Sequence, residues 1–402
     1  MNFTIGIIRE EKIPQDNRVA LTPSQCKWLI KNYKSLNIIV QPSANRCFKD
    51  QEYIRAGISV QEDLSGCDFI FGIKETVGYS LIPNKTYLFF SHTKKLQPYN
   101  QQLLQTIIKK NITLIDYECL EHEDGTRIIG FGFFAGIVGA HNGIMLYGER
   151  TGQFHLDRVY KVKSFQELIH SYFGLKLPNI KVVITGSGRV AHGVVEIMNL
   201  LQLHEVEPSD FLSRNFPYPV FTELKGASLY THKQNGTYNR EDFHLHPENY
   251  KSLFVPYSKH ADILMNGVYW DSKTPRLFEK DAILSSDFKI QTIADITDDE
   301  NGSVPINLGD QTIENPVYGV NRVSALKTPP FLPDSIDVMA VGNLPNELPR
   351  DASRYFGEQL IKFVLPGLLV EHNETIEGAT IVKGGTLAEK YKYMAAYAGL
   401  IG

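Results

Sequence analysis

Lys181-Val182-Val183-Ile184-Thr185-Gly186-Ser187-Gly188-Arg189-Val190-Ala191-His192-Gly193 decides the fold. The β-branched apolar run predicts a strand, and it feeds a G-x-G-x-x-A turn. Val194 to Leu201 then carries an apolar face at helical spacing. Strand, glycine turn and helix in that order make the phosphate-binding entrance of a dinucleotide fold. Gly186 permits a sharp turn, and Gly188 lets bare backbone approach a pyrophosphate. Ala191 is small enough for the helix to pack on the strand. The helix N-terminus adds free N–H groups and a positive dipole end. An ordinary strand–turn–helix connection is the competing reading, and the flanking context weighs against it.

Further strands are predicted at Ala261–Gly267 and Gln291–Ile296, both ending in polar residues. Ligands sit at the carboxyl ends of such strands, so Asn266, Gly267 and Asp295 are cofactor-side candidates. The acidic side chain that reads the adenosine ribose is expected about 20 positions past the first glycine. Glu205 and Glu207 fall there. A carboxylate accepts from the ribose 2′-hydroxyl and repels a 2′-phosphate, so NAD is favoured over NADP. Arg189 and Arg214 are the cations that argue the other way. Residues 211–250, rich in Tyr, His, Asn and Pro with weak periodicity, read as an insertion.

The motif lies near the middle of 402 residues, so a substantial domain must precede it. An apolar fraction of 43% and a charged fraction of 21% fit a globular enzyme. A net charge of −4 gives no reason to expect nucleic acid or an anionic membrane as partner. No apolar run has the length to span a bilayer. Met1-Asn2-Phe3-Thr4-Ile5-Gly6-Ile7 reads as a strand rather than a signal or transit peptide, which predicts a cytoplasmic protein. Cys26, Cys47, Cys67 and Cys119 lack C-x-x-C spacing and read as free thiols. His244-Leu245-His246 has no further ligands to complete a metal site, so no metal is expected.

The first region alternates strands (Phe3–Ile8, Asn37–Gln41, Phe69–Gly72, Tyr87–Phe90, Thr113–Asp116) with helices at Pro23–Tyr33 and Tyr99–Lys110. Thr22 before Pro23 reads as an N-cap and N1 pair. Such alternation predicts a parallel sheet. Charged residues come after the strands: Arg9 and Arg18 after the first, Lys74 and Glu75 the third, His92 and Lys95 the fourth, Glu118 the fifth, with Arg127 close behind. In a parallel sheet these ends share one edge, where Arg9, Arg18, Lys74, His92, Glu118 and Arg127 converge on a cleft. Arginine suits bidentate grip of carboxylates, and Lys74 and His92 suit proton transfer. A solvated loop charge is the ordinary reading of any one of them. Recurrence at successive strand ends is what favours a site. Ala135–Met145, with small residues at three- and four-residue spacing, reads as a closely packed helix connecting the domains. Asp351–Leu369 is helical in pattern and is expected to return to the first domain.

These residues resemble the lysine-forming saccharopine dehydrogenases, within the alanine dehydrogenase and transhydrogenase superfamily. The likeness rests on Arg18-Val19-Ala20-Leu21-Thr22-Pro23, Phe89-Phe90-Ser91-His92-Thr93, Asp116-Tyr117-Glu118 and Gly130-Phe131-Gly132-Phe133-Phe134-Ala135-Gly136. Met265-Asn266-Gly267-Val268-Tyr269-Trp270 and Asn343-Leu344-Pro345-Asn346-Glu347-Leu348-Pro349-Arg350 extend it. The resemblance implies two Rossmann-like doubly wound α/β domains with a cleft between them. Residues 1–136 with 340–402 would form the substrate domain, and 137–339 the dinucleotide domain. It implies Lys74 and His92 as the acid–base pair, tuned by Glu75 and Glu118, with Arg18, Lys95 and Arg127 holding carboxylates. The cofactor would lie across Gly186, Ser187, Gly188, Arg189 and Val190, with Asn266, Gly267, Asp295 and Asp299 near its nicotinamide. The implied reaction interconverts saccharopine with lysine and 2-oxoglutarate. An alanine dehydrogenase-like enzyme and a non-catalytic NAD(P)-binding module are the alternatives, and nothing in the sequence excludes a homo-oligomer.

Overall fold

A computed structural model describes residues 3–76 and 78–400, so the first two residues of the predicted opening strand lie outside it. The chain forms two compact α/β units, Met1–Phe131 with Pro349–Gly402, and Gly132–Leu348.

The first unit holds a sheet in the order Thr386–Leu387, Thr380–Lys383, Thr113–Asp116, Thr86–Phe89, Phe69–Phe71, Phe3–Ile7, Leu36–Val40, Ser59–Val60. The six strands from the N-terminal region pair in parallel, with Phe3–Ile7 near the middle. Ile5, Ile7, Ile70, Leu88 and Leu114 are fully buried, as expected for strands covered on both faces. Helix Pro23–Asn32 starts at the predicted cap: Thr22 Oγ1 accepts from Gln25 N at 3.4 Å, and Gln25 Oε1 accepts from Thr22 N at 2.9 Å. The C-terminal segment returns here through helix Pro349–Gln359. It then adds two strands that the sequence reading did not anticipate, Thr380–Lys383 antiparallel to Thr113–Asp116, and Thr386–Leu387 beyond it. The four cysteines are unbridged.

The second unit's sheet runs Lys327–Thr328, Val317–Asn321, Ser335–Ala340, Thr292–Asp295, Ile263–Asn266, Lys181–Thr185, Val220–Leu224, His204–Glu205. Val220–Leu224 pairs directly with the glycine-turn strand, from Lys181↔Val220 to Thr185↔Leu224. Residues 211–250 are therefore not simply an insertion: they contribute the strand between the glycine-turn strand and the sheet edge, while the hairpin Tyr230–His232 with Tyr250–Ser252 forms a separate sheet.

The small-residue segment forms helix Gly132–Thr151, which begins where the chain leaves the first unit and is counted with the second. It packs on the glycine-turn helix Arg189–Leu200 through bare backbone. A Cβ on Gly136 would lie 2.1 Å from Val190 O, and one on Gly193 would lie 2.1 Å from Phe133 O. Residues 340–348 also stay with this unit. Glu347 Oε1 accepts from Asn142 Nδ2 at 2.9 Å and from Arg158 Nη2 at 3.1 Å, tying the segment to that long helix. Among the described residues no helix is long and apolar enough to cross a membrane.

Candidate active site

In the first unit the strand ends carry buried charge. Glu10 comes just after the first strand and is partly buried. Its carboxyl oxygens accept from the backbone N–H groups of Ile73 (2.7 Å) and Lys74 (2.9 Å). It thereby fixes the turn that carries Lys74. Burial and the neighbouring Asp16 push Glu10 up to about 8. The sequence reading missed it as a site residue. The only signal was an acid directly after Arg9 at a strand end.

Asp16 and Arg18 form a buried bidentate pair, with Nε to Oδ1 at 2.9 Å and Nη2 to Oδ2 at 2.5 Å. Burial raises Asp16, but Arg18 outweighs it and holds it below the usual carboxylate range. Burial and the like charge of Arg18 bring Lys74 down to about 8. At pH 7 roughly a tenth of Lys74 is then neutral, against a few parts in ten thousand for an ordinary lysine. That difference turns an ammonium into a usable base. Glu75 pairs with Lys12 at 2.5 Å, and its Oε2 is buried with no hydrogen-bond partner.

A second group forms around Glu118. Its Oε1 accepts from Arg127 at 3.0 Å and faces Lys95 at 3.9 Å, while Oε2 lies 3.4 Å from His92 Nδ1. Burial pushes Glu118 up, but His92, Arg127 and Lys95 win and bring it down to about 2. The backbone explains the meeting. Asp116, fully buried, accepts from Glu118 N at 2.7 Å and from the Ser91 backbone N at 3.2 Å and hydroxyl. The Ser91–Thr93 turn is thereby pinned, with His92 in the left-handed region at φ 53°. Such a conformation costs on the order of 1–3 kcal/mol in a non-glycine residue and persists where surrounding contacts over-determine it.

An aromatic floor joins the two groups. The Arg18 guanidinium lies 4.2 Å over Phe131, and His92 stacks on Phe90 at 6.2 Å. Phe90 and Phe131 both pack on Phe356, at 5.9 and 4.5 Å, from the returning C-terminal helix. Arg18 and His92 touch this floor directly; Lys74 neighbours Arg18, and Glu118 gathers His92, Lys95 and Arg127. Arg9 does not join them. Its guanidinium is held by Glu62 at 2.9 Å and lies 3.5 Å from Glu11. Arg9 faces the Gln41–Pro42 side, where Gln41 Oε1 takes its backbone N–H.

In the second unit the strand edge is built differently. Gly186 sits at φ +108°, and its N–H donates to Leu224 O at 3.0 Å. A side chain there would strike Gly267 O at 2.7 Å. Around Gly188, the N-cap of helix Arg189–Leu200, no atom lies within 4 Å of a Cβ position. An open cradle of bare backbone at a helix start fits a dinucleotide pyrophosphate. Gly186, Ser187, Gly188, Arg189 and Val190 line it in sequence, and Val190 Cγ1 packs against Gly267.

Asn266 and Asp295 are buried and bonded to their neighbours. Asn266 Oδ1 accepts from Thr185 Oγ1 at 2.7 Å. Its Nδ2 donates to Asp295 at 2.7 Å and to Ser303 at 2.8 Å. Asn307 Nδ2 donates to the other oxygen of Asp295 at 2.8 Å, and burial pushes Asp295 up to about 6. These two side chains knit strand ends together, and Gly267 is itself buried against Val190 and Thr185. Asp299 lies in the next turn, where its carbonyl accepts from Gly302 N at 2.8 Å.

Glu205 and Glu207 are not at the cradle. Glu205 is level with Phe221, which is level with Val182. It therefore lies about 13 Å short of Gly186 along the sheet and about 10 Å to the side, two strands away. Glu207 starts helix Pro208–Ser213 at the same outer edge. Spacing alone misplaced them, because the neighbour of the glycine strand comes one strand later in the chain.

Residues 6–138 match the family described as alanine dehydrogenase/PNT, N-terminal domain. That match covers about a third of the chain. It is 30% identical to the mitochondrial alpha-aminoadipic semialdehyde synthase of Rattus norvegicus, over 97% of this chain and 47% of the relative. It therefore spans about half the length of that relative. It is 25% identical to the saccharopine dehydrogenase [NAD(+), L-lysine-forming] of Yarrowia lipolytica, over 90% of both chains. Among solved structures an L-alanine dehydrogenase superposes with a TM-score of 0.67 at 15% identity, covering 98% of this chain and 99% of the other. The transhydrogenase from Sinorhizobium meliloti gives 0.60 at 13% identity, covering 96% and 100%. These two share the two-unit Rossmann-like fold.

Proposed function

We propose that this protein is an NAD(P)-dependent amino-acid dehydrogenase of the saccharopine type, interconverting saccharopine and water with lysine and 2-oxoglutarate. The observation that carries the reading is Lys74, held near Arg18 with a proton affinity near neutrality, where Arg18 lies on the aromatic floor that also bears His92, the partner of Glu118. Oxidising a secondary amine and hydrolysing the resulting imine needs a base for the amine, a base for water and an acid for the departing amine. Lys74 takes the amine proton. His92, oriented by Glu118, activates water and returns the proton to the leaving amine. Arg18, Lys95 and Arg127 meet the substrate's carboxylates. The dinucleotide, when bound, supplies the hydride acceptor or donor.

The named relatives support the lysine branch, since alpha-aminoadipic semialdehyde synthases and lysine-forming saccharopine dehydrogenases are matched along 90% or more of this chain. Four unbridged cysteines suit the reducing cytoplasm expected from the sequence. The expectation of NAD rested on Glu205 and Glu207, so their displacement reopens the cofactor choice. A nicotinamide absorbance assay with lysine plus 2-oxoglutarate tests the proposal. Turnover with that pair is expected. Turnover with pyruvate plus ammonia alone would turn the reading to an alanine dehydrogenase.

A further inference from the structure

We infer that Lys225 is the residue that selects the adenosine end of the dinucleotide, and that it selects the 2′-phosphate of NADP. The inference rests on the proposed function only in requiring that the glycine cradle bind a dinucleotide.

Strand order makes the case. In a dinucleotide fold, the ribose is read at the carboxyl end of the strand beside the glycine-turn strand. Here that strand is Val220–Leu224, and the register runs Ile184↔Glu223 and Thr185↔Leu224. Gly186 N–H bonds to Leu224 O, which brings the next residue, Lys225, level with the first glycine of the cradle. Its backbone is fixed there: Ser228 Oγ accepts from Lys225 N at 2.8 Å and donates to Lys225 O at 2.9 Å.

Two side chains compete at this position. Alternation along the strand puts Glu223 and Lys225 on one face, and the two are ion-paired. Glu223 is the inner partner, with a side chain 8% exposed, and Lys225 the outer one, 56% exposed. An arriving ribose therefore meets the ammonium first, with the carboxylate behind it already neutralised. An NAD site presents the opposite arrangement, a free carboxylate for the diol. A 2′-phosphate binds such an ammonium through charge-assisted hydrogen bonds.

The test is direct binding of NADPH and NADH to the full-length chain, monitored by nicotinamide fluorescence without substrate. NADPH is expected to bind more tightly. Lys225→Ala is expected to weaken NADPH by about 10-fold to 100-fold, the range for losing one hydrogen bond to a charged group. NADH binding in that variant stays within about threefold, which also shows that the variant is folded. Lys225→Arg keeps the preference, and rising salt narrows it. Tighter NADH binding that is lost in Glu223→Gln, with Lys225→Ala neutral, would overturn the assignment and make Glu223 the reader. Failure of both dinucleotides to bind would overturn the dehydrogenase reading itself.

Discussion

The two sheets end in opposite ways. In the first unit the carboxyl edge displays side chains whose proton affinities are far from ordinary: Lys74 down to about 8, Glu10 up to about 8, Glu118 down to about 2. In the second unit the same edge displays glycine backbone, while Asn266 and Asp295 are turned inward and bonded to their neighbours. Proton transfer needs titratable groups held partly out of water, and burial beside like charge achieves that. Holding a pyrophosphate needs unobstructed N–H groups, so polar side chains serve best when they brace the loop from below. One superfold thus yields two kinds of edge through the residues placed after each strand.

The contrast is open to attack at several points. Lys74→Met should lower turnover by about 10²–10⁴-fold, the range for a positioned acid–base group, with dinucleotide binding unchanged in direct titration. Loss of binding in that variant would mean that the edges do not divide the labour. In the wild type, amine oxidation should climb as pH rises and level off above about 8, because base catalysis uses the neutral form of Lys74. Initial rates across pH at saturating substrate measure this, and a rate that does not change between about pH 7 and 9 would count against Lys74.

Asn266→Ala removes a buried hydrogen bond from each of Thr185, Asp295 and Ser303 and should cost about 1–3 kcal/mol, read as a lower unfolding midpoint with weaker dinucleotide binding. The alkaline limb of the rate should not move. Acid should act on Glu118 and Asp295 with opposite sign. Glu118 is lowered in the fold, so its contribution is present above about 4.5 and is lost as pH falls through about 2. Asp295 is raised to about 6, so falling pH from about 6 to 4 relieves a buried charge and favours the second unit. Calorimetry of the full chain at stepped pH reads both trends. Arg9→Ala, by contrast, removes a partly exposed pair with Glu62 and should change activity by less than about twofold.

Much of this was legible in the sequence. Local signals held where one segment decides its own geometry: the glycine turn, the Thr22–Pro23 cap, and the charged residues at the strand ends. Readings failed where pairing between distant segments decides. Val220–Leu224 is five residues beside a Pro-Tyr-Pro stretch, too short to show a period, and buried mainly by its neighbours. Missing it shifted the ribose reader onto Glu205. Thr380–Lys383 became a strand because the edge of Thr113–Asp116 was available, which no local pattern announces. Glu10 was passed over because its role depends on backbone N–H groups more than sixty residues away.

The chain's discontinuous first unit has a consequence for synthesis. On the ribosome, Gly132–Leu348 emerges as one uninterrupted piece and can close its own sheet while the rest is still being translated. The other sheet must wait with its Thr113–Asp116 border bare until Thr380–Lys383 leaves the exit tunnel. For that interval the nascent polypeptide exposes an unpaired strand, the kind of surface that chaperones shield.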